Sequence, residues 1–123
     1  MAKFMPSVGV DIVEIARIES VISRWGERFL SRVYTEAERE FCRGRIPELA
    51  ARFAAKEAVM KALGTGRREI GWQEIEVLPN RRGKPMIYLH RRARSRAEKL
   101  GVDELDISLS HSQELAIALV VGG

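Results

Sequence analysis

The hydrophobic pattern of this chain changes period at Glu14, and that change constrains the fold more than any other feature. Over residues 7–12 the pattern alternates. Val8, Val10 and Ile12 share one side and Gly9 and Asp11 the other, the two-residue period of a strand. From Glu14 onward, Ile15, Ile18, Ile22, Trp25 and Phe29 recur at helical spacing. Gly26 interrupts or ends that helix. Thr35 followed by Glu38 has the form of a capping box and opens a short helix through Arg43. Pro47 suits the first turn of a further helix, which runs through an alanine-rich segment to Leu63 with Gly64 as its stop. Strand patterns return over 74–78 and 86–90, joined by a turn-rich stretch at 79–85. They return again over 106–110 and 115–121, a hairpin around 111–114. A basic helix over 91–100 lies between the two strand pairs. Helices come mainly first and strands mainly last, so the expected class is α+β and not a doubly wound parallel sheet.

Composition narrows the function classes. At 123 residues, 46% hydrophobic and 31% charged, the chain has the size and balance of one globular domain, 1–123, and not of a disordered segment. A net charge of +4 suits an anionic partner, or serves solubility alone. Cys42 has no second cysteine to bond with, which points to a reducing, cytoplasmic setting. The residues before Asp11 lack the apolar stretch of a signal peptide, and no run of about eighteen apolar residues could span a membrane. An aromatic content of 7%, with acids interleaved among the arginines, argues against a nucleic-acid partner.

Four groups of residues could carry chemistry. Asp11 ends the first strand beside a helix start. A carboxylate there suits a hard cation, which takes oxygen ligands, or serves the dipole of the following helix. In the alanine-rich helix, Leu49, Phe53, Met60 and Leu63 form an apolar stripe. Glu57 lies about 40° from Phe53 and Lys56 about 20° from Leu63 on the same wheel, so both charges border the buried face. Lys61 follows Glu57 by one turn. An acid and several cations along an apolar seam suit a metal together with phosphates, or else form a plain Glu57–Lys61 pair worth about 0.2–0.5 kcal/mol. Gly64-Thr65-Gly66 lacks the strand, glycine loop and Lys order of a P-loop, and on its own reads as a helix end. His111 falls where a strand alternation stops. No acid at suggestive spacing completes a Ser/His triad, so a structural or phosphate-binding His outweighs a hydrolase base. Arg17, Arg24 and Arg28 lie within about 40° of one another on a continued wheel, either as a solvated face or as a docking stripe. Arg91, Arg92, Arg94 and Arg96 read as surface.

These segments together resemble a known family. Gly9-Val10-Asp11-Ile12-Val13-Glu14-Ile15 opens the match. Arg52-Phe53-Ala54-Ala55-Lys56-Glu57-Ala58 and its continuation Lys61-Ala62-Leu63-Gly64-Thr65-Gly66 carry most of its specificity. The turn 80–85 with Gly83-Lys84-Pro85, and Ser108-Leu109-Ser110-His111-Ser112, follow in order and spacing. The chain resembles over nearly its whole length the holo-acyl-carrier-protein synthases, the small bacterial class of 4′-phosphopantetheinyl transferases. The resemblance implies a small antiparallel-rich sheet packed against helices and a homotrimer with active sites between neighbouring subunits. It implies transfer of 4′-phosphopantetheine from coenzyme A to a serine of an acidic acyl carrier protein, releasing 3′,5′-ADP, in support of fatty acid biosynthesis. The implied catalytic residues are Asp11, Glu57 and Lys61, with Mg²⁺ as cofactor on Asp11 and Glu57. The implied coenzyme A contacts are Arg52, Lys56, Lys61, Gly64, Gly83, Pro85 and His111. Arg17, Arg24 and Arg28 are the implied carrier-docking residues.

Overall fold

A computed structural model describes residues 6–66 and 68–123, so the expectation that residues 1–5 carry no leader lies outside the described residues. The elements run β1 (Ser7–Glu14), α1 (Ile15–Trp25), α2 (Glu27–Val33), α3 (Glu36–Cys42), α4 (Ile46–Ala62), β2 (Ile75–Pro79), β3 (Pro85–Leu89), α5 (Arg91–Lys99), β4 (Leu105–His111) and β5 (Leu115–Gly122). The strands form two small antiparallel sheets where one was expected: a three-stranded sheet in the order β1-β5-β4, and the hairpin β2-β3. The α+β class stands.

Local chemistry sets the boundaries. Gly26 adopts φ 51°, which ends α1 and starts α2, so Arg28 sits on a different helix from Arg17 and Arg24. The continued wheel is therefore broken, and Trp25, placed in the apolar stripe, is instead 49% exposed at the end of α1. The expected capping box is present: Thr35 Oγ1 accepts from the Glu38 amide at 3.1 Å, and Glu38 Oε1 accepts from the Thr35 amide at 2.9 Å. Helix α4 closes in a Schellman turn. Thr65 N donates to Met60 O at 3.0 Å and Gly64 N to Lys61 O at 3.1 Å, with Gly64 at φ 63°.

The strand β1 continues to Glu14 because β5 pairs with it along the whole register, from Ser7↔Gly122 to Glu14↔Leu115. Asp11 is thus inside the strand and not at its end. The alternation of β1 holds, but its more apolar side faces outward. Gly9 and Val13 are buried against α4, while Val8, Val10 and Ile12 are exposed. On β5 the same split places Ala116, Ala118 and Val120 inside and Leu115, Ile117, Leu119 and Val121 outside. Helix α4 lies across β1 and β5 on the inner side, where small residues allow close packing. A Cβ added to Gly9 would stand 1.9 Å from the Ala58 carbonyl oxygen.

Gly9→Ala should therefore force β1 and α4 apart and destabilise the chain by about 3 kcal/mol, at the upper end of ordinary overpacking. Urea denaturation measures this, and an unchanged midpoint would show that the helix has room to move.

Candidate active site

The inner side of β1 and the facing side of α4 bring two of the singled-out residues into contact. Lys61 Nζ lies 2.9 Å from Asp11 Oδ1 and donates to Val10 O at 3.0 Å. This contact spans 50 positions of sequence, so Lys61 pairs with Asp11 and not with Glu57 one turn before it. Asp11 is not the cap of α1 either: Glu14 holds that position, without a side-chain bond. The Asp11 side chain is 16% exposed and that of Lys61 55%, so the pair opens to solvent from the lysine side. Glu57 shares the Lys61 side of α4. It is half-buried and makes no hydrogen bond or ion pair among the described residues. Asp11 and Lys61 thus face each other across the seam between β1 and α4, with the Glu57 carboxylate one turn from Lys61 on the same side of the helix.

The other candidates flank this group at different removes. His111 ends β4 opposite Ala116 and shares the alternation of Ile107, which faces inward. It stands on the same side of the sheet as Asp11, two strands away and about 12 Å distant by strand spacing and rise. Gly64 follows Lys61 by three positions and is held by the Lys61 carbonyl. Gly83, at φ 86°, closes the β2-β3 turn, in which Asn80 Oδ1 accepts from the amides of Arg82 and Lys84. Pro85 pairs with Pro79 at the start of β3. Lys84 Nζ reaches Asp106 at 2.8 Å, so this turn docks at the start of β4. His111 is five positions on, about 17 Å away along the strand. One chain therefore brings Asp11 and Lys61 together, with Glu57 and Gly64 next to Lys61 along α4 and His111 on the Asp11 side of the sheet, while Gly83 and Pro85 belong to the turn docked at the start of β4.

The profile of the 4′-phosphopantetheinyl transferase superfamily matches residues 7–120. The chain belongs to this superfamily. It is 52% identical over 121 residues to a holo-[acyl-carrier-protein] synthase of Herpetosiphon aurantiacus, covering 93% of this chain and 95% of that protein. Among solved structures, the Helicobacter pylori holo-[acyl-carrier-protein] synthase in complex with coenzyme A superposes with a TM-score of 0.86 at 33% identity, covering 94% of this chain and 99% of that one. The Bacillus anthracis synthase, in complex with CoA (3′,5′-ADP), gives a TM-score of 0.78 at 36% identity, with 94% of each chain covered.

Two residues that the transferase resemblance assigned to coenzyme A have other partners here. Lys56 is fully buried. Its ammonium forms an ion pair with Glu38 Oε1 at 2.8 Å and donates to Trp72 O at 2.9 Å and to Ile75 O. Burial pushes its pKa down, and the Glu38 carboxylate opposes that shift. Arg52 is 3% exposed, with Nε on Val77 O at 3.1 Å, Nη1 on Glu48 at 3.1 Å and its guanidinium over the Phe41 ring. Both point into the packing between α4, α3 and β2, so within this chain their charged ends are taken up by protein groups. Glu38 was recognised only as a cap. Its second role, accepting from Val77 N at 2.7 Å and pairing with Lys56, left no mark on a linear pattern. Cys42 is inert by the same packing, since burial pushes its thiol up to about 11 against the pull of Arg52.

Arg17, Arg24 and Arg28 are exposed and have no ion pair among the described residues; Arg24 lies 5.4 Å from the Trp25 ring centre. Arg28 and Arg32 join Val21, Trp25 and Phe29 around a cavity of about 350 Å³ at the α1–α2 corner. No helix of the described residues is long and apolar enough to cross a membrane.

Arg52→Ala should destabilise the chain by about 3 kcal/mol, because Glu48 and Val77 O lose a charged donor. The KM for coenzyme A should stay within a factor of about two. Unchanged stability with a raised KM would show that the guanidinium faces phosphate after all.

Proposed function

We propose that the chain is a holo-acyl-carrier-protein synthase, moving 4′-phosphopantetheine from coenzyme A onto a serine of an acidic acyl carrier protein in fatty acid biosynthesis. The observation that carries this reading is the convergence of Asp11 and Lys61, with unpaired Glu57 one turn away, in a chain of the transferase superfamily. Two carboxylates suit Mg²⁺, which is commonly held by one or two carboxylates and completes its shell with water and substrate phosphate. Asp11 and Glu57 would hold the ion, which when bound supplies Lewis-acid neutralisation of the pyrophosphate charge.

In the reaction, the serine oxygen forms a bond to the β-phosphorus of coenzyme A as the bond from that phosphorus to the bridging oxygen breaks. The oxygen leaves with 3′,5′-ADP, and the serine proton passes to Glu57 or to solvent at the site. Lys61 offers a half-exposed ammonium to the charge that gathers on the phosphoryl and leaving oxygens, the kind of fixed electrostatic support that dominates phosphoryl transfer. Its bond to Asp11 aims it. His111, at the sheet end on the same side, is available to a more distant phosphate.

One observation supports the homotrimer that the family resemblance implies. Val8, Val10, Ile12, Leu115, Ile117, Leu119 and Val121 make an uninterrupted outward apolar face on β1 and β5, larger in kind than scattered surface apolars. The resemblance places active sites between neighbouring subunits, an arrangement in which a second copy's Gly83 to Pro85 turn would complete the site. Arg17, Arg24 and Arg28, exposed and unpaired, suit the acidic carrier, with steering as their main effect. A buried, unpaired thiol suits a cytoplasmic setting.

Mixing the protein with apo carrier, coenzyme A and Mg²⁺ should add one phosphopantetheine to the carrier by mass spectrometry. Asp11→Ala and Glu57→Ala should each lower kcat/KM by about 100-fold or more while the fold persists. Either variant keeping full activity with a chelator present would end the metal assignment. Sedimentation equilibrium should give the mass of three chains, and Leu119→Glu should dissociate them and abolish transfer. An active monomer would overturn the shared site.

A further inference from the structure

We propose that the buried Lys56–Glu38 ion pair is a positioning device for the transfer site, pinning the rotation of α4 about its own axis so that Glu57 and Lys61 face Asp11. The proposal rests on the phosphopantetheinyl-transfer reading above.

Helix α4 is enclosed on nearly every side. Leu49, Ala50, Ala51, Arg52, Ala54, Ala55, Lys56, Ala58, Val59, Met60 and Ala62 are all buried. A helix with one apolar stripe is oriented by that stripe, because turning it would expose apolar surface. Here the buried residues are mostly alanines that point in all directions. A small turn exchanges one methyl for another, and the apolar packing resists it weakly. The close approach at Gly9 fixes how near α4 comes to β1 but says little about its roll.

What resists rotation must be directional; beyond the Tyr34 hydroxyl, which donates to the Leu49 carbonyl near the start of the helix, the directional contacts of the buried face belong to two cations. The Lys56 ammonium has three protons and three acceptors: Glu38 Oε1, Trp72 O and Ile75 O. Glu38 is itself held by the amides of Thr35 and Val77, so the pin is anchored at once to the start of α3 and to β2. One turn earlier, Arg52 reaches the Val77 carbonyl. Glu57 is the next residue after Lys56, about 100° around the helix, and Lys61 about 140°. Whatever fixes Lys56 therefore fixes the other two at a set angle. Their charged tips stand roughly 6 Å from the helix axis, so about 20° of roll would carry them about 2 Å. Reactive constellations tolerate only about 0.5 Å of misplacement.

Stability alone does not account for such a pair. A buried ion pair replaced by well-packed apolar residues is often no less stable, because desolvating the charges offsets their attraction. The apolar alternative lacks direction.

The test compares wild type with Lys56→Met and with Lys56→Met/Glu38→Gln, the double variant avoiding a lone buried carboxylate. Each is examined by circular dichroism, by Mn²⁺ titration followed by electron paramagnetic resonance, and by steady-state transfer. The expected result is a folded protein whose Mn²⁺ dissociation constant rises by about tenfold or more, the scale on which support of metal ligands acts. The kcat should fall by a similar factor, with the coenzyme A KM nearly constant. A folded variant with wild-type Mn²⁺ binding and kcat would show that the pair only fills space. A raised coenzyme A KM with unchanged Mn²⁺ binding would return Lys56 to the phosphates. Unfolding of both variants would assign the pair to stability. Each of these three outcomes overturns the proposal, whereas a wild type that transfers nothing sinks the functional reading itself.

Discussion

The separation between β1 and α4 is the constraint on which the rest of this structure depends. At Gly9 the strand backbone lies so near the Ala58 carbonyl that no side chain fits between them. That closeness lets Lys61, on the helix, reach both the Asp11 carboxylate and the Val10 carbonyl on the strand. A wider gap filled by ordinary apolar side chains would leave the two charges on opposite walls. Small residues on the inner side of β5, Ala116 and Ala118, extend the same seam toward β4 and keep His111 on its side of the sheet.

Around this seam the chain separates its charges by depth. Lys56, Glu38, Arg52 and Glu74 are buried, and those interior charges have partners: Lys56 with Glu38, Arg52 with Glu48, and Glu74 with Arg92 at 2.8 Å. Lys61 and Glu57 lie at the margin, and Arg17, Arg24 and Arg28 stand outside it. Helix α4 thus carries five charged groups, with Arg52 and Lys56 buried and Glu48, Glu57 and Lys61 at its margin. The alanines between them allow this, since they fill space without claiming a direction.

Much of this was legible in linear order, and the failures have physical reasons. Strand and helix periods placed nearly every element within a residue or two, because Gly26, Thr35, Pro47 and Gly64 punctuate the chain by backbone chemistry that acts locally. The residues of the Asp11–Lys61 contact were singled out, although their pairing spans the fold and no spacing shows it. What linear order hid has a common cause. Val8, Val10 and Ile12 form the apolar side of β1 yet face outward, since burial depends on which side α4 covers and not on which side is greasier. The partners of Lys56 and Arg52 within the chain left no mark on the helical wheel either. Here the anion, Glu38, and the carbonyls of β2 lie inside. The split into two sheets was hidden because hairpin signals reveal adjacent pairs and not the partner of a strand 100 positions away.

That distant pairing bears on how the protein comes into being. Among the described strands, β1 pairs in its sheet with β5 alone, from Ser7↔Gly122 to Glu14↔Leu115. Until β5 is made, β1 has no strand beside it and α4 has only β1, and not the completed sheet, to lie across. Closing a loop of nearly the whole chain delays its reward, so helices α1 to α4 must wait in a partly ordered state. Nascent chains therefore complete the Asp11–Lys61 corner late, and loss of residues from β5 would leave β1 without its strand partner.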